Sequence, residues 1–272
     1  MNIIYHVMFP KLGLNLDISP ICIDFKGITI RYYGIILAIA FLSAIIYGMK
    51  RSKEFGINKD DLMTLVSYAL IAGIIGARLF YVIFYPSDYY LVNPSKIFLI
   101  NEGGLGIYGG LILAILISIP LAKAKKINVL SLLDLSSLGF LIGQSIGRWG
   151  NFFNQEAYGN KTDSLFGMMS EGTGGVPVHP CFLYESIWCA LGFTILHIIS
   201  KKHKKYDGQI FLMYLSWYGF GRFFIESLRQ DSLMIPFVEL KVSQVISILI
   251  FITSVSILFI KNKIRKEFIK YE

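Results

Sequence analysis

Seven stretches of about 20 mostly apolar residues dominate the chain, at about 28–49, 61–84, 104–121, 129–147, 180–199, 209–226 and 241–260. A helix of about 20 apolar residues crosses the hydrocarbon core of a bilayer. The runs predict an all-α integral membrane protein with seven transmembrane helices, built as a single polytopic membrane domain over residues 1–272. The composition agrees. Of 272 residues 54% are hydrophobic and 16% charged, where ordinary globular domains carry about 25% charged residues.

Lys and Arg gather in alternate loops. Lys50, Arg51, Lys53 and Lys59 follow span 1, Lys123, Lys125 and Lys126 span 3, and Lys201, Lys202, Lys204 and Lys205 span 5. Lys261, Lys263, Arg265, Lys266 and Lys270 follow span 7. The other loops are poor in basic residues. The asymmetry predicts an N-terminus outside and a C-terminus in the cytoplasm. It also accounts for the net charge of +8 without nucleic acid as a partner. The long outside connection, about 148–179, is expected to form a small extracytoplasmic head or lid.

The first 27 residues lack the basic, apolar and small-residue succession of a cleavable signal peptide. The mixed stretch Met1 to Lys26 is expected to lie along the membrane surface. Cys22, Cys181 and Cys189 show no CxxC or Cys/His metal spacing, so neither a disulfide framework nor a metal site is expected.

Ionisable residues within spans are costly and point to function. On the expected topology nearly all fall in the outer half: Arg31 and Tyr33, Tyr108, Tyr184 and Glu185, and at the ends of the even spans Arg78, Gln144, Arg148, Arg222 and Glu226. Asp134, near the inner end of span 4, is expected to be structural. Arg222 and Glu226 share a helix face at i, i+4, as a structural ion pair or as part of a site. Arg148 adds a second guanidinium with no carboxylate near it in sequence. Two arginines suit an anionic phospholipid headgroup, which guanidinium binds in a bidentate fork.

The densest polar stretch is Ile146-Gly147-Arg148-Trp149-Gly150-Asn151-Phe152-Phe153-Asn154-Gln155-Glu156-Ala157-Tyr158-Gly159. Polar groups packed at a membrane edge need partners or a polar ligand. The glycines of 103–110 open span 3, either as close helix packing or as a broken helix start aimed at an anion. His179, at the head of span 5, reads as structural rather than catalytic, and the three tryptophans as packing or interfacial residues. A transporter or flippase would need polar residues continuing through the inner halves of the spans, and little but Asp134 is there. A non-catalytic scaffold would not need the arginine pair.

Gly147-Arg148-x-Gly150-Asn151-Phe152-x-Asn154-x-Glu156-x-x-Gly159 resembles the signature of the prolipoprotein diacylglyceryl transferase family. Arg31-Tyr32-Tyr33-Gly34, Gly76-Ala77-Arg78-Leu79, His179-Pro180 with Leu183-Tyr184-Glu185, and Tyr218-Gly219-x-x-Arg222-x-x-x-Glu226 with Arg229-Gln230 resemble its other span motifs. The resemblance implies transfer of the diacylglyceryl group of phosphatidylglycerol to the lipobox cysteine thiol of a preprolipoprotein still carrying its signal peptide. It implies release of glycerol 1-phosphate and an active site facing the outer leaflet of the bacterial plasma membrane. Phosphatidylglycerol, signal peptides of preprolipoproteins and membrane lipids are the implied partners, with no cofactor.

By the same resemblance Arg148, Asn151, Asn154, Gly159, Tyr33, Arg222 and Glu226 bind phosphatidylglycerol, and Arg148, Arg222, Glu156 and Tyr108 carry the chemistry. Arg222 either shares the phosphate or lowers the pKa of the incoming cysteine; Glu156 either orients Arg148 or accepts the proton. Two positions depart from the family. Tyr108 stands where many members have the His of His-Gly-Gly, and Phe182 where many have Gln. Phenols titrate near 10 and imidazole near 6.5, so Tyr108 suits hydrogen bonding better than proton abstraction.

Overall fold

The computed structural model describes residues 4–25, 28–100, 103–230, 234 and 240–271. Met1 and Lys26, the ends of the stretch expected along the membrane surface, lie outside them. Two antiparallel hairpins come first: β1 (Tyr5–Phe9) with β2 (Leu14–Ile18), and β3 (Ile21–Phe25) with β4 (Ile28–Arg31). Among the described residues eight α-helices follow: α1 (Tyr32–Arg51), α2 (Lys59–Ile83), the short α3 (Tyr89–Val92), α4 (Ile107–Ala124), α5 (Val129–Asn154), α6 (Cys181–Lys202), α7 (Gln209–Leu228) and α8 (Val242–Tyr271).

The protein is mostly helical, and the hairpins add to the all-α expectation. They follow from period-2 alternation in Leu14-Asn15-Leu16-Asp17 and Ile21-Cys22-Ile23-Asp24-Phe25, with Gly13 at φ 65° in the first turn. The expected span starts at 28 and 104 move to Tyr32 and Ile107. The ends expected at 147 and 260 move out to Asn154 and Tyr271. Six helices among the described residues are long and apolar enough to cross a membrane: Tyr32–Phe55, Lys59–Ile83, Ile107–Ala124, Val129–Asn154, Cys181–Lys202 and Val242–Arg265. Helix α7, expected as the sixth of seven spans, is outside that set; Gln209, Ser216, Arg222 and Glu226 dilute its apolar run.

The chain divides into two compact units, residues 1–47 with 133–272, and residues 48–132. In the first, α7 packs on both α6 and α8. Buried Asp134 accepts the backbone N–H groups of Gly208 and Phe211, both at 2.9 Å, and pairs with Lys204 at 3.2 Å. It satisfies donors that the start of α7 would leave bare, which is the structural role expected of it. The hairpin β1–β2 joins the connection after α5: Met8 and Met169 exchange backbone hydrogen bonds of 2.8 Å. Val7, Phe9, Phe152, Met168, Val178 and Phe182 form a buried core around this junction.

The second unit is held by α2 against α4. Side chains at Gly76 and Gly109 would strike the opposite helix backbone, and Gly110 lies against the Gly73 carbonyl. The Gly106 N–H is taken by the Ala77 carbonyl at 2.8 Å. These glycines serve close packing. Arg78, expected among the outer polar residues, is buried and donates to four carbonyls: Ile97 at 2.8 Å, Gly103 at 2.7 Å, Gly104 at 2.9 Å and Lys96 at 2.7 Å. It organises the loop before α4.

Candidate active site

Two reciprocal contacts fix α5, α6 and α7 beside one another. Ser145 donates to the Ser186 carbonyl at 3.0 Å, and Ser186 returns the bond to the Ser145 carbonyl at 2.7 Å. Trp188 and Trp217 each donate the indole N–H to the other's carbonyl at 3.0 Å, with their rings stacked at 4.3 Å. Gly221 and Gly192 leave the space those indoles fill. Sequence position does the rest: Arg148 lies three residues beyond Ser145, Glu185 precedes Ser186, and Arg222 follows Gly221.

The result is an ion cluster on three helices. Glu185 receives Arg148 on one carboxylate oxygen at 2.5 Å and Arg222 on the other at 2.9 Å. Arg222 also pairs with Glu226 at 2.6 Å. The Glu185 and Glu226 side chains are 4% and 3% exposed, whereas those of Arg148 and Arg222 are 23% and 16% exposed. The acids are almost fully buried, while the two arginine side chains keep part of their surface exposed. A guanidinium carries five N–H donors in a fixed fork, so edges remain to meet a planar or tetrahedral oxyanion.

Beside Arg148 a second network runs along the signature. Asn151 accepts from Arg148 at 3.3 Å and donates to Glu156 at 2.9 Å, and Asn154 donates to the same Glu156 oxygen at 3.5 Å. Glu156 sits between Gln155 at φ 52° and Ala157 at φ 58°. Non-glycine residues in that region cost about 1–3 kcal/mol and persist only where surroundings enforce them. Here buried Gln155 is held at both ends, donating to the Phe152 carbonyl and accepting from Ser170, both at 2.6 Å.

Tyr33 and Gly159 complete the neighbourhood. The Tyr33 ring lies on Gly150, with a ring carbon 2.6 Å from where a side chain there would begin. Gly159 is equally enclosed by the Leu228 carbonyl, Cys181 and His179. Its N–H donates to the His179 carbonyl at 2.8 Å, tying the end of the signature to the start of α6. The His179 ring contacts the Tyr184 hydroxyl at 3.2 Å. Burial holds its pKa below 6.5, and its contacts are those of a structural histidine. Tyr108 belongs to the second unit, where it is exposed beside Phe80 with ring centroids 6.4 Å apart.

The structure thus brings Arg148, Asn151, Asn154, Glu156, Arg222 and Glu226 into one linked network, with Tyr33 and Gly159 packed along the same signature. Sequence reasoning offered Arg148 only Glu156 as a carboxylate partner and left Glu185 out of the site. The available signal was an ionisable residue inside a span. Its two partners lie 37 residues away on either side, beyond any local spacing rule.

Six helices long and apolar enough to cross a membrane, with a guanidinium–carboxylate cluster on α5, α6 and α7, define a multi-pass membrane protein with a polar cluster among its helices. The family model described as prolipoprotein diacylglyceryl transferase matches residues 20–260. A Clostridioides difficile (strain 630) protein named phosphatidylglycerol–prolipoprotein diacylglyceryl transferase is 45% identical over 223 residues, covering 82% of this chain and 87% of its own. Like-named proteins of Clostridium novyi (strain NT) and Listeria welshimeri are 43% and 38% identical, covering 92% and 90% of this chain and 98% and 90% of theirs. The chain belongs to the prolipoprotein diacylglyceryl transferase family and is a transferase.

Proposed function

We propose that this protein moves the diacylglyceryl group of phosphatidylglycerol onto the lipobox cysteine of a preprolipoprotein, and that the Arg148–Glu185–Arg222 cluster is where it does so. The observation that carries this reading is the meeting of two partly exposed arginines, from α5 and α7, on one buried carboxylate. In the reaction the cysteine sulfur forms a bond to the glyceryl carbon bearing the phosphate. The carbon–oxygen bond breaks, its electron pair leaves with glycerol 1-phosphate, and the thiol proton passes to a base.

Arg148, with Asn151 and Asn154, holds the phosphate and stabilises the charge that grows on its leaving oxygen. Arg222, oriented by Glu226, shares that phosphate or favours the thiolate, the competent nucleophile. Glu156 orients Arg148 through Asn151 or takes the thiol proton. Tyr33 and Gly159 shape the lipid site, and Tyr108 supplies a hydrogen bond. Seven spans, with the N-terminus outside and the C-terminus in the cytoplasm, would open this single polytopic domain to the outer leaflet of the bacterial plasma membrane. Signal peptides would enter from that side.

The test is incubation of purified protein with phosphatidylglycerol and a lipobox peptide, followed by mass measurement. The expected result is a peptide heavier by one diacylglyceryl group on cysteine. A peptide of unchanged mass, with lipid moved between leaflets instead, would refute the reading.

A further inference from the structure

We propose that Glu185 is a positioning residue with two roles: it holds the two guanidinium groups at one point, and it sets the charge of the cluster so that the phosphate product can leave. This rests on the reading that Arg148 and Arg222 receive the phosphate. Each Glu185 oxygen takes a different arginine, at 2.5 and 2.9 Å. One carboxylate therefore fixes the separation of two groups on different helices. Glu185 is itself fixed, beside Ser186 of the serine exchange and three residues before Trp188 of the indole stack.

Charge enters independently of position. A phosphodiester headgroup carries one negative charge. The phosphomonoester that leaves carries about 1.5 to 2 at neutral pH, because its second pKa is about 6. Two uncompensated guanidinium groups would therefore grip the product harder than the substrate, the wrong order for turnover. In the structure Arg148 and Arg222 face Glu185 and Glu226, so the cluster sums to zero. The Glu185 charge repels a dianion more than a monoanion, which returns the preference to the diester.

Glu185→Gln keeps the shape and removes the charge. In purified enzyme at about pH 7.5, it is expected to bind glycerol 1-phosphate about tenfold tighter than the parent, or about 1.4 kcal/mol. The gain should shrink near pH 5.5, where the product is largely a monoanion. Steady-state transfer should show kcat falling with stronger product inhibition, not a rise in KM alone. Glu185→Asp keeps the charge but is one methylene too short to bridge both arginines. It should bind product within about twofold of the parent while kcat falls about tenfold or more, the loss expected when a transition-state donor is misplaced; it also carries the test if Glu185→Gln does not fold.

Unchanged or weaker product binding by Glu185→Gln at both pH values would overturn the charge role. Full kcat in Glu185→Asp would overturn the positioning role. A parent enzyme that ignores glycerol 1-phosphate, together with an unimpaired Arg148→Lys, would instead overturn the arginine site itself.

Discussion

Gly221→Ala should damage the enzyme without touching a charged group. The added carbon would fall on the pyrrole edge of Trp188, with Cε2 only 2.6 Å away and two further ring atoms nearer still. Trp188 cannot yield without giving up its 3.0 Å bond to the Trp217 carbonyl and its stack on the Trp217 ring. Overpacking costs about 1–3 kcal/mol, the aromatic pair about 0.5–1.5 and a membrane hydrogen bond about 0.6, offset by about 1 for the better helix former. The expected net loss is about 1–4 kcal/mol, summed from those same terms. Arg222 is the next residue, so the strain is delivered to the Glu185 bridge, and transfer to a lipobox peptide should fall with stability. Thermal unfolding in detergent, followed by tryptophan fluorescence, measures the first effect and peptide mass the second. Gly143→Ala is the control: nothing lies within 4 Å of a side chain there. A Gly221→Ala protein that melts with the Gly143→Ala control and transfers at full rate would refute the reasoning.

Four other perturbations have defined outcomes. Arg148→Lys should lower transfer about 100-fold or more, since loss of one oriented donor to a developing oxyanion costs about that much and an ammonium cannot supply the fork; near-full activity would count against the clamp. Tyr108→Phe should slow transfer if the hydroxyl contributes a hydrogen bond, and an unchanged rate would exclude it as proton acceptor. Arg78→Lys should expose 96–104 to protease, because one ammonium cannot reach the four carbonyls that Arg78 holds; an equally resistant loop would argue otherwise. The Asp17 carboxylate, 2.6 Å from the His6 ring, raises the His6 pKa above its usual value. The charged pair's contribution is therefore fully present below about pH 6.5 and is lost as pH rises through the raised value. Amide exchange across β1–β2 should follow that window and lose it in His6→Gln.

The apolar runs told most of the helical architecture, because membrane length and composition are local properties. Asp134 was readable too, as a lone acid far from the other polar exceptions. The hairpins were present as alternation in Leu14–Asp17 and Ile21–Phe25. Strands of four or five residues are brief against helices of 20, and the mixed polarity also fits a surface segment. Within the site, Arg222 and Glu226 could be paired from their spacing along one helix. The bridge from Glu185 could not, since it depends on how α5, α6 and α7 lie together. The same holds for the Tyr33 ring on Gly150, a contact made by helices more than a hundred residues apart.

The ion cluster draws one member from α5, one from α6 and two from α7, and that order matters while the chain is being made. A nascent chain that ends before Gln209 holds Arg148 and Glu185 but neither Arg222 nor Glu226. Only with α7 in the bundle can both oxygens of Glu185 take an arginine, as they do in the structure. If the proposed site is the working one, synthesis alone would keep this enzyme silent until its penultimate long helix arrives.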